Sequence, residues 1–345
     1  MKYKKNLKLL NEMSKWLFKV GKSSLFCRKL SFKVYRWSLP REFKHIGVTG
    51  PEFSLSDDEN KACGKTIFWG GEKVGSTRPL QDIINSREGS CFIVGSGPSI
   101  KDIDFSLLDG QVLFGVNGAI EVFKENSLIP DYYAITDVDF FENRFDLVKE
   151  VVKTKADCFF SYGGLARICE SDESLLKSGN IFLTEIVNRE YSKPRLKNND
   201  FLDSLDSTKK IINRSVMGSK ENVVGFSKDM SDGIFCSRTI LFRAIQIAYA
   251  IGFKKIYLLG LDLGYKGEPR FYSEGETVRP SKLDVDYDPY IRPSFDILAQ
   301  LVKKGELEVY NLSDKSKLPE SIIARKKFDE VISEVGSINE PDFKI

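Results

Sequence analysis

The chain has 345 residues, with 52 basic against 49 acidic side chains, a net charge of +3, 29% charged and 41% hydrophobic residues. That length suits one large domain with an appendage, or two domains, at roughly 100–200 residues each. The composition excludes collagen, low-complexity disorder and a small disulfide scaffold, and no apolar run reaches the roughly 18 residues of a membrane-spanning helix.

Charge is concentrated at the start. Residues 1–50 hold 13 Lys/Arg and two acids, Glu12 and Glu42, a net +11, so residues 51–345 carry −8. Such a split points to a basic arm facing anionic material, either nucleic acid or a lipid headgroup layer. Leu7, Leu10, Met13, Leu17 and Val20 fall at helical spacing, with Leu9 and Trp16 beside them. Lys5, Lys8, Lys15, Lys19 and Lys22 fill much of the remainder. A second stretch carries Phe26, Arg28, Lys29, Phe32, Lys33, Tyr35, Arg36 and Trp37. This is the composition of an interfacial helix; it also suits an amphipathic helix docked on the protein's own core. Charge interrupts the apolar stretch and no small-residue cleavage site follows, which argues against a secretory signal. The acidic remainder opposes a nucleic-acid backbone. An anionic membrane surface is therefore the partner expected for residues 1–50, with no nucleic acid.

Residues 51–88 mix Gly, Asp, Glu and Pro and read as a linker with little regular structure. The domain expected to carry the chemistry spans 89–345. Cys91–Val94, Val112–Val116 and Tyr132–Ile135 are short apolar runs of the kind found in fully buried parallel strands. Cys158–Phe160 and Ile181–Leu183 are further candidates. Residues 189–222 are polar and suit a lid or an insertion. Thr239–Ile251 reads as a helix closed by Gly252, followed by a strand at Lys255–Gly260, a helix near Pro293–Lys303 and a strand at Leu307–Leu312. This alternation indicates an α/β fold with a mainly parallel sheet. The six cysteines (Cys27, Cys63, Cys91, Cys158, Cys169, Cys236) are scattered and read as buried thiols of a reducing compartment. One histidine, His45, far from the strand ends in sequence, argues against Ser-His-Asp or Cys-His catalysis and against a His-rich metal site.

In open parallel sheets, ligands bind beyond the carboxyl ends of the strands. Those ends hold Gly95-Ser96-Gly97-Pro98-Ser99, Asn117-Gly118, Thr136-Asp137 and Asp262. The first suits a phosphate or nucleotide loop, with Pro98 in the first turn of a following helix whose free N–H groups attract an anion. A third glycine of the dinucleotide fingerprint is missing, since position 100 is Ile100, and no Walker lysine follows. Asn117 lies about 20 residues on, where such folds read the nucleotide sugar; alternatively it makes a left-handed turn with Gly118. Asp137-Val138-Asp139 matches the D-x-D used to hold Mg²⁺ or Mn²⁺ under a diphosphate. Ser231-Asp232-Gly233 precedes the long helix, so Ser231 and Asp232 can cap it or meet a ligand there.

The residues at this point resemble a family. The G-x-G-P-S loop is similar to that of bacterial sialyltransferase-like enzymes that use CMP-activated sugars. F-G-V-N-G-A, I-P-D-Y-Y-A-I-T-D-V-D-F, V-V-G-F-S-K-D-M-S-D-G-I-F-C-S, A-I-Q-I-A-Y, G-L-D-L, R-F-Y and V-Y-N-L-S resemble, in order over roughly residues 91–313, the WaaZ lipopolysaccharide core transferases. The resemblance implies a Rossmann-like, GT-A-like sheet of the sialyltransferase type carrying a basic amphipathic arm. It implies transfer of 3-deoxy-manno-octulosonic acid (Kdo) from CMP-Kdo to a sugar of the lipopolysaccharide inner core. Gly95, Ser96, Gly97, Pro98, Ser99, Asn117 and Gly118 would hold CMP; Thr136, Asp137, Ser231, Asp232 and Gly233 would line the donor pocket. The sialyltransferases' histidine has no counterpart in Asp288–Ser294. The base is then an Asp or Glu, with Asp137, Asp232 and Asp262 the candidates in that order. Asp262 can equally orient the loop after its strand. Arg270 and Tyr272 are candidates for the phosphate or the Kdo carboxylate. CMP leaves as a monophosphate, so no metal and no cofactor are expected. The expected site of action is the cytoplasmic face of the inner membrane, as a peripheral protein. Another CMP-linked acidic sugar, a Mg-ATP-dependent pterin diphosphokinase-like enzyme and a non-catalytic membrane adaptor are the competing readings.

Overall fold

The computed structural model describes residues 2–20, 24–57, 64–205, 209–217, 220–263 and 282–336. In chain order, helices α1 (Lys2–Val20) and α2 (Leu25–Ser38) precede strands β1 (Phe53–Asp57), β2 (Lys65–Trp69) and β3 (Glu72–Ser76). Strands β4 (Ser90–Val94) and β5 (Leu113–Val116), helix α3 (Ile120–Glu125) and strand β6 (Tyr132–Ile135) follow. Next come α4 (Val138–Asn143), α5 (Phe145–Lys153), β7 (Asp157–Phe160), α6 (Tyr162–Ser171), β8 (Ile181–Leu183) and α7 (Asn198–Asp203). A hairpin of β9 (Lys210–Met217) and β10 (Lys220–Ser227) leads to α8 (Ile240–Ile251) and β11 (Lys255–Leu259). The last described elements are α9 (Leu283–Asp286), α10 (Arg292–Lys303), β12 (Glu308–Asn311) and α11 (Phe328–Gly336). No described helix is long and apolar enough to cross a membrane.

The chain forms two compact units. The first comprises residues 1–83, 135–206 and 229–234. Its amino-terminal part is more ordered than composition suggests. The stretch expected to be an irregular linker contains an antiparallel sheet in the order β1-β2-β3. Its β2–β3 connection is Gly70-Gly71, with φ of +63° and +94°, the backbone that a two-residue hairpin turn demands and Gly-Gly supplies. Phe53 and Ile67 give that sheet a buried face. Helix α1 packs on it and on α2: Phe18 meets Phe32 at 6.2 Å and Trp69 at 5.6 Å, and the Ser31 hydroxyl donates to the Ser14 carbonyl at 2.8 Å.

Elsewhere in this unit β7 and β8 run parallel, with Phe159 stacked on Phe182 at 5.3 Å. Helix α6 is capped by Ser161, whose hydroxyl accepts from Gly164 N. Gly164 lets the Phe141 ring of α4 pass where a Cβ would lie only 2.3 Å away. Arg167 of α6 is buried, donates to the Val48 carbonyl at 2.7 Å, pairs with Glu170, and lies 4.5 Å from the Phe32 ring centre.

The second unit comprises residues 84–134, 207–228 and 235–345. Its strands run β12-β11-β4-β5-β6, all parallel. Cys91, Phe92, Ile93 and Val94 are fully enclosed, as strands covered on both faces require. Helix α8 ends at Gly252, φ +124°, on the glycine expected to close it. Phe242 of α8 packs against Phe226 of β10 and Phe295 of α10. The buried Gln246 amide is fully used: its oxygen accepts from Ser227 N and Phe235 N, and its nitrogen donates to Phe235 O at 3.0 Å. Cys91 is a buried free thiol here, as are Cys158 and Cys169 in the first unit; Cys63 lies outside the described residues.

Two expected helix starts differ. Pro98–Asp102 is a five-residue 3-10 turn with Pro98 at its first position, not an α-helix. The cap residue of α8 is Thr239, so Ser231 and Asp232 do not cap it.

Candidate functional site

The carboxyl ends of β4, β5 and β11 carry three of the expected strand-end motifs within the second unit. After β4, Gly95 N donates to Leu259 O of β11 at 2.8 Å. A Cβ on Gly95 would crowd Leu259 O, Gly260 O and Leu241 of α8, each at 3.1 Å. Gly97 is tighter still: its Cβ would fall 2.3 Å from Asp262 Oδ2 and 2.5 Å from Gly260 O. The reason is that Asp262, 2% exposed, closes the loop itself by accepting from Ser99 N at 2.8 Å. One amide that a ligand's phosphate was expected to meet is therefore taken by a carboxylate of the protein. Asp262 is held in turn through its carbonyl, which accepts from Lys317 N at 3.1 Å. Ser313 and Ser316 fix Leu261 beside it.

Asn117, after β5, has φ +47°, so it is the asparagine and not Gly118 that takes the left-handed conformation. The Tyr133 hydroxyl donates to Asn117 O and accepts from Ile120 N, both at 2.7 Å. Two side-chain oxygens at this edge, Ser99 Oγ and Asn117 Oδ1, are buried without a hydrogen-bond partner. Buried polar atoms are rarely left so; a polar ligand beyond β4 and β5 would satisfy both. Replacement of Gly97 by alanine is expected to cost about 1–3 kcal/mol through overpacking against backbone and carboxylate, seen as a lowered melting temperature together with weakened ligand binding.

The segment entering α8 adds residues that the sequence reading passed over. Arg238, φ +65°, lies over Tyr290 at 4.9 Å. Arg243 Nη2 is 2.7 Å from the Cys236 sulfur. Burial alone would push the Cys236 thiol up, but the guanidinium groups of Arg243 and Arg238 outweigh it and the net direction is down. Arg238 and Arg243 place two cations around the start of α8, whose Leu241 lies against Gly95. Their signal was S-R-T before the helix. Arg270 and Tyr272, the expected anion ligands, lie outside the described residues.

The other expected residues lie in the first unit. Asp137 is exposed and caps α4, accepting from Asp139 N at 3.1 Å; Thr136 before it is buried. The two carboxylates of the D-x-D thus belong to a cap and its first turn. Among the described residues no three His, Cys, Asp or Glu side chains form a group that could hold a metal ion. Ser231 is bound back to Asp229, which accepts from its amide and hydroxyl. A Cβ on Gly233, φ +86°, would fall 3.0 Å from Val187 N and 3.1 Å from Glu185 O. Asp232 lies 3.9 Å from Lys193.

Glu185, just past β8, was missed: it accepts from Tyr191 N at 2.6 Å, and burial pushes its carboxyl up. The signal was present, since Thr184-Glu185 repeats after Ile181–Leu183 the Thr-acid pair that ends β6. His45, expected to be remote, has Nε2 at 2.9 Å from Glu190 O within this unit.

A sequence profile described as 3-deoxy-D-manno-octulosonic acid transferase WaaZ matches residues 76–327. A probable 3-deoxy-manno-octulosonic acid transferase of Escherichia coli (strain K12) is 28% identical over 252 residues, 73% of this chain and 87% of the relative. One from Salmonella typhimurium is 29% identical over 245 residues, 71% and 89% of the two chains. Among solved structures, the sialyltransferase CstII from Campylobacter jejuni bound to CMP-3FNeuAc superposes with a TM-score of 0.35 at 17% identity, over 68% of this chain and 84% of that one. The MAf glycosyltransferase from Magnetospirillum magneticum AMB-1 gives 0.36 at 14%, over 72% of this chain and 34% of that one.

Proposed function

Because the chain belongs to the WaaZ family of 3-deoxy-D-manno-octulosonic acid transferases, and is by that membership a glycosyltransferase, we propose that it moves Kdo from CMP-Kdo to a sugar of the lipopolysaccharide inner core. The observation that carries the donor half of this reading is the pair of orphaned oxygens, Ser99 Oγ and Asn117 Oδ1, buried at one sheet edge. In this reading they accept hydrogen bonds from the cytidine amine and ribose hydroxyls. The glycines let the backbone approach the nucleotide, and Arg238 neutralises the phosphate.

Kdo has a tertiary, oxocarbenium-prone anomeric carbon. Loss of CMP needs the developing phosphate charge stabilised, which a guanidinium and amides supply without a metal. The acceptor hydroxyl gives its proton to a carboxylate as the new C–O bond forms. Asp137 is the first choice for that base and Asp232 the second, both being solvent-reachable carboxylates with no buried structural duty. Asp262, engaged with Ser99 N, is better suited to holding the loop. Pro98 and Gly118 shape the backbone around CMP; Ser96, Thr136, Ser231 and Gly233 complete the proposed donor contacts. Residues 1–50 bring the enzyme to an anionic membrane, where it works peripherally on the cytoplasmic face.

The test is a melting experiment with CMP, UMP, AMP, GDP and NAD, with and without Mg²⁺. At about 100 times its dissociation constant a ligand adds roughly 2.7 kcal/mol, a shift of several degrees. CMP alone is expected to shift the transition, indifferent to Mg²⁺. Asn117→Ala is expected to weaken CMP about ten- to hundredfold, the value of one buried polar partner (~1–3 kcal/mol). A Mg²⁺-dependent shift with AMP would point to diphosphokinase-like chemistry instead. Turnover of a second CMP-linked acidic sugar faster than CMP-Kdo would reassign the donor.

A further inference from the structure

A cavity lined by residues before the matched region and by Tyr191 within it is one to which the donor chemistry assigns nothing. It measures about 320 Å³ and lies between α1, α2 and the β1–β3 sheet. Asn11, Lys15 and Lys19, one residue per turn of α1, form one wall; Tyr35, Glu52 and Tyr191 face it. Lys15 and Lys19 have no carboxylate partner among the described residues. Asn11 Oδ1 and Glu52 Oε1 are buried and lack hydrogen-bond partners. The volume sits at the lower end of small-molecule pockets.

The inventory is specific in kind. Two ammonium groups one turn apart suit a phosphate. An amide oxygen and a carboxylate left without donors suit sugar hydroxyls, and tyrosine rings suit the apolar face of a sugar. Beside this wall, α1 presents Leu9, Met13, Trp16 and Val20, spaced four, three and four residues apart and each 42–71% exposed. Helix α1 therefore does two of the things its pattern allows. Ser14 and Phe18 dock on the protein, and a separate apolar stripe is left outside, flanked by lysines as in helices that lie in a headgroup layer.

We propose that this cavity binds the phosphorylated sugar headgroup of a membrane lipid while the Leu9–Val20 stripe rests among the acyl chains. The inference stands on residues 11–71 and Tyr191 and does not need the donor site.

The test is co-sedimentation of the full chain with three phosphatidylcholine vesicles: undoped, doped with phosphatidylglycerol, or doped with a phosphoglucosamine-headed lipid at equal charge. The phosphosugar vesicles are expected to bind most tightly. Joint replacement Lys15→Ala and Lys19→Ala is expected to weaken them about thirtyfold, from about fivefold per basic residue at an anionic surface. Glu52→Gln is the sharper variant. It makes the protein more basic, so mere charge attraction would strengthen phosphatidylglycerol binding, whereas the pocket requires phosphosugar binding to fall. Trp16→Ser should weaken binding to all three. Equal binding to both anionic vesicles would overturn the headgroup pocket. Binding of free glucosamine 1-phosphate as tightly as the lipid would overturn the membrane source. An unchanged CMP-induced melting shift in each variant reports an intact fold, and absence of that shift in the parent protein would count against the donor reading alone.

Discussion

Replacement of Asp262 by alanine is expected to lower kcat/KM about a hundredfold, the scale of an ångström-sized misplacement of reacting groups, whereas asparagine retains most of the activity. The carboxylate is 2% exposed, and its Oδ2 accepts from Ser99 N while filling the space above Gly97. An asparagine oxygen can take the same hydrogen bond in the same volume. Alanine leaves the Ser99 amide without its partner, at a cost of about 1–3 kcal/mol, and lets the glycine loop relax. If Asp262 were instead the proton acceptor, asparagine would be as damaging as alanine while CMP affinity held. Kinetics of the two variants beside CMP binding separate a positioning residue from a base. The same comparison with Asp137→Asn and Asp232→Asn is expected to single out one of them: turnover lost, CMP binding unchanged.

A loss of stability of about 1–3 kcal/mol is expected from Arg167→Ala, because it leaves the Val48 carbonyl without its donor, while Glu170 keeps Arg28, which meets both its oxygens. Arg167 is 2% exposed. It donates to Val48 O, pairs with Glu170, lies 3.7 Å from Glu142 and covers the Phe32 ring. Burial pulls its guanidinium down and the carboxylates of Glu170 and Glu142 pull it back. Lysine should not rescue it, having neither the planar fork nor the reach to serve a carbonyl and a carboxylate together. The joint replacement Arg167→Met and Glu170→Met should cost less than the sum of the single changes, because both act on one ion-pair network in which Arg28 and Glu142 remain together. Denaturant melts of the four proteins measure that coupling.

What was legible in the sequence follows from the kind of burial. Strands enclosed on both faces write themselves as apolar runs, so Cys91–Val94, Tyr132–Ile135 and Lys255–Leu259 were readable with the polar residues that end them. The sheet at 53–76 was not read because composition was weighed over pattern: Gly70-Gly71 between Thr66–Trp69 and Glu72–Val74 is a hairpin signal. Glu185 escaped notice because its strand is only three residues long. The duty of Asp262 was beyond any local reading, since its partner Ser99 lies 163 residues away. The periodicity of α1 announced an amphipathic helix, but which apolar residues dock and which stay outside depended on Phe32 and Trp69, the partners that claim Phe18.

The hold that Tyr133 has on Asn117 also bears on the thermodynamics of ligand capture. A left-handed asparagine costs about 1 kcal/mol relative to its relaxed backbone, and here that cost is already met within the folding of the core by a hydroxyl gripping both sides of the turn. A nucleotide bound at this corner, as proposed, would find that turn already ordered and would lose no affinity to ordering it.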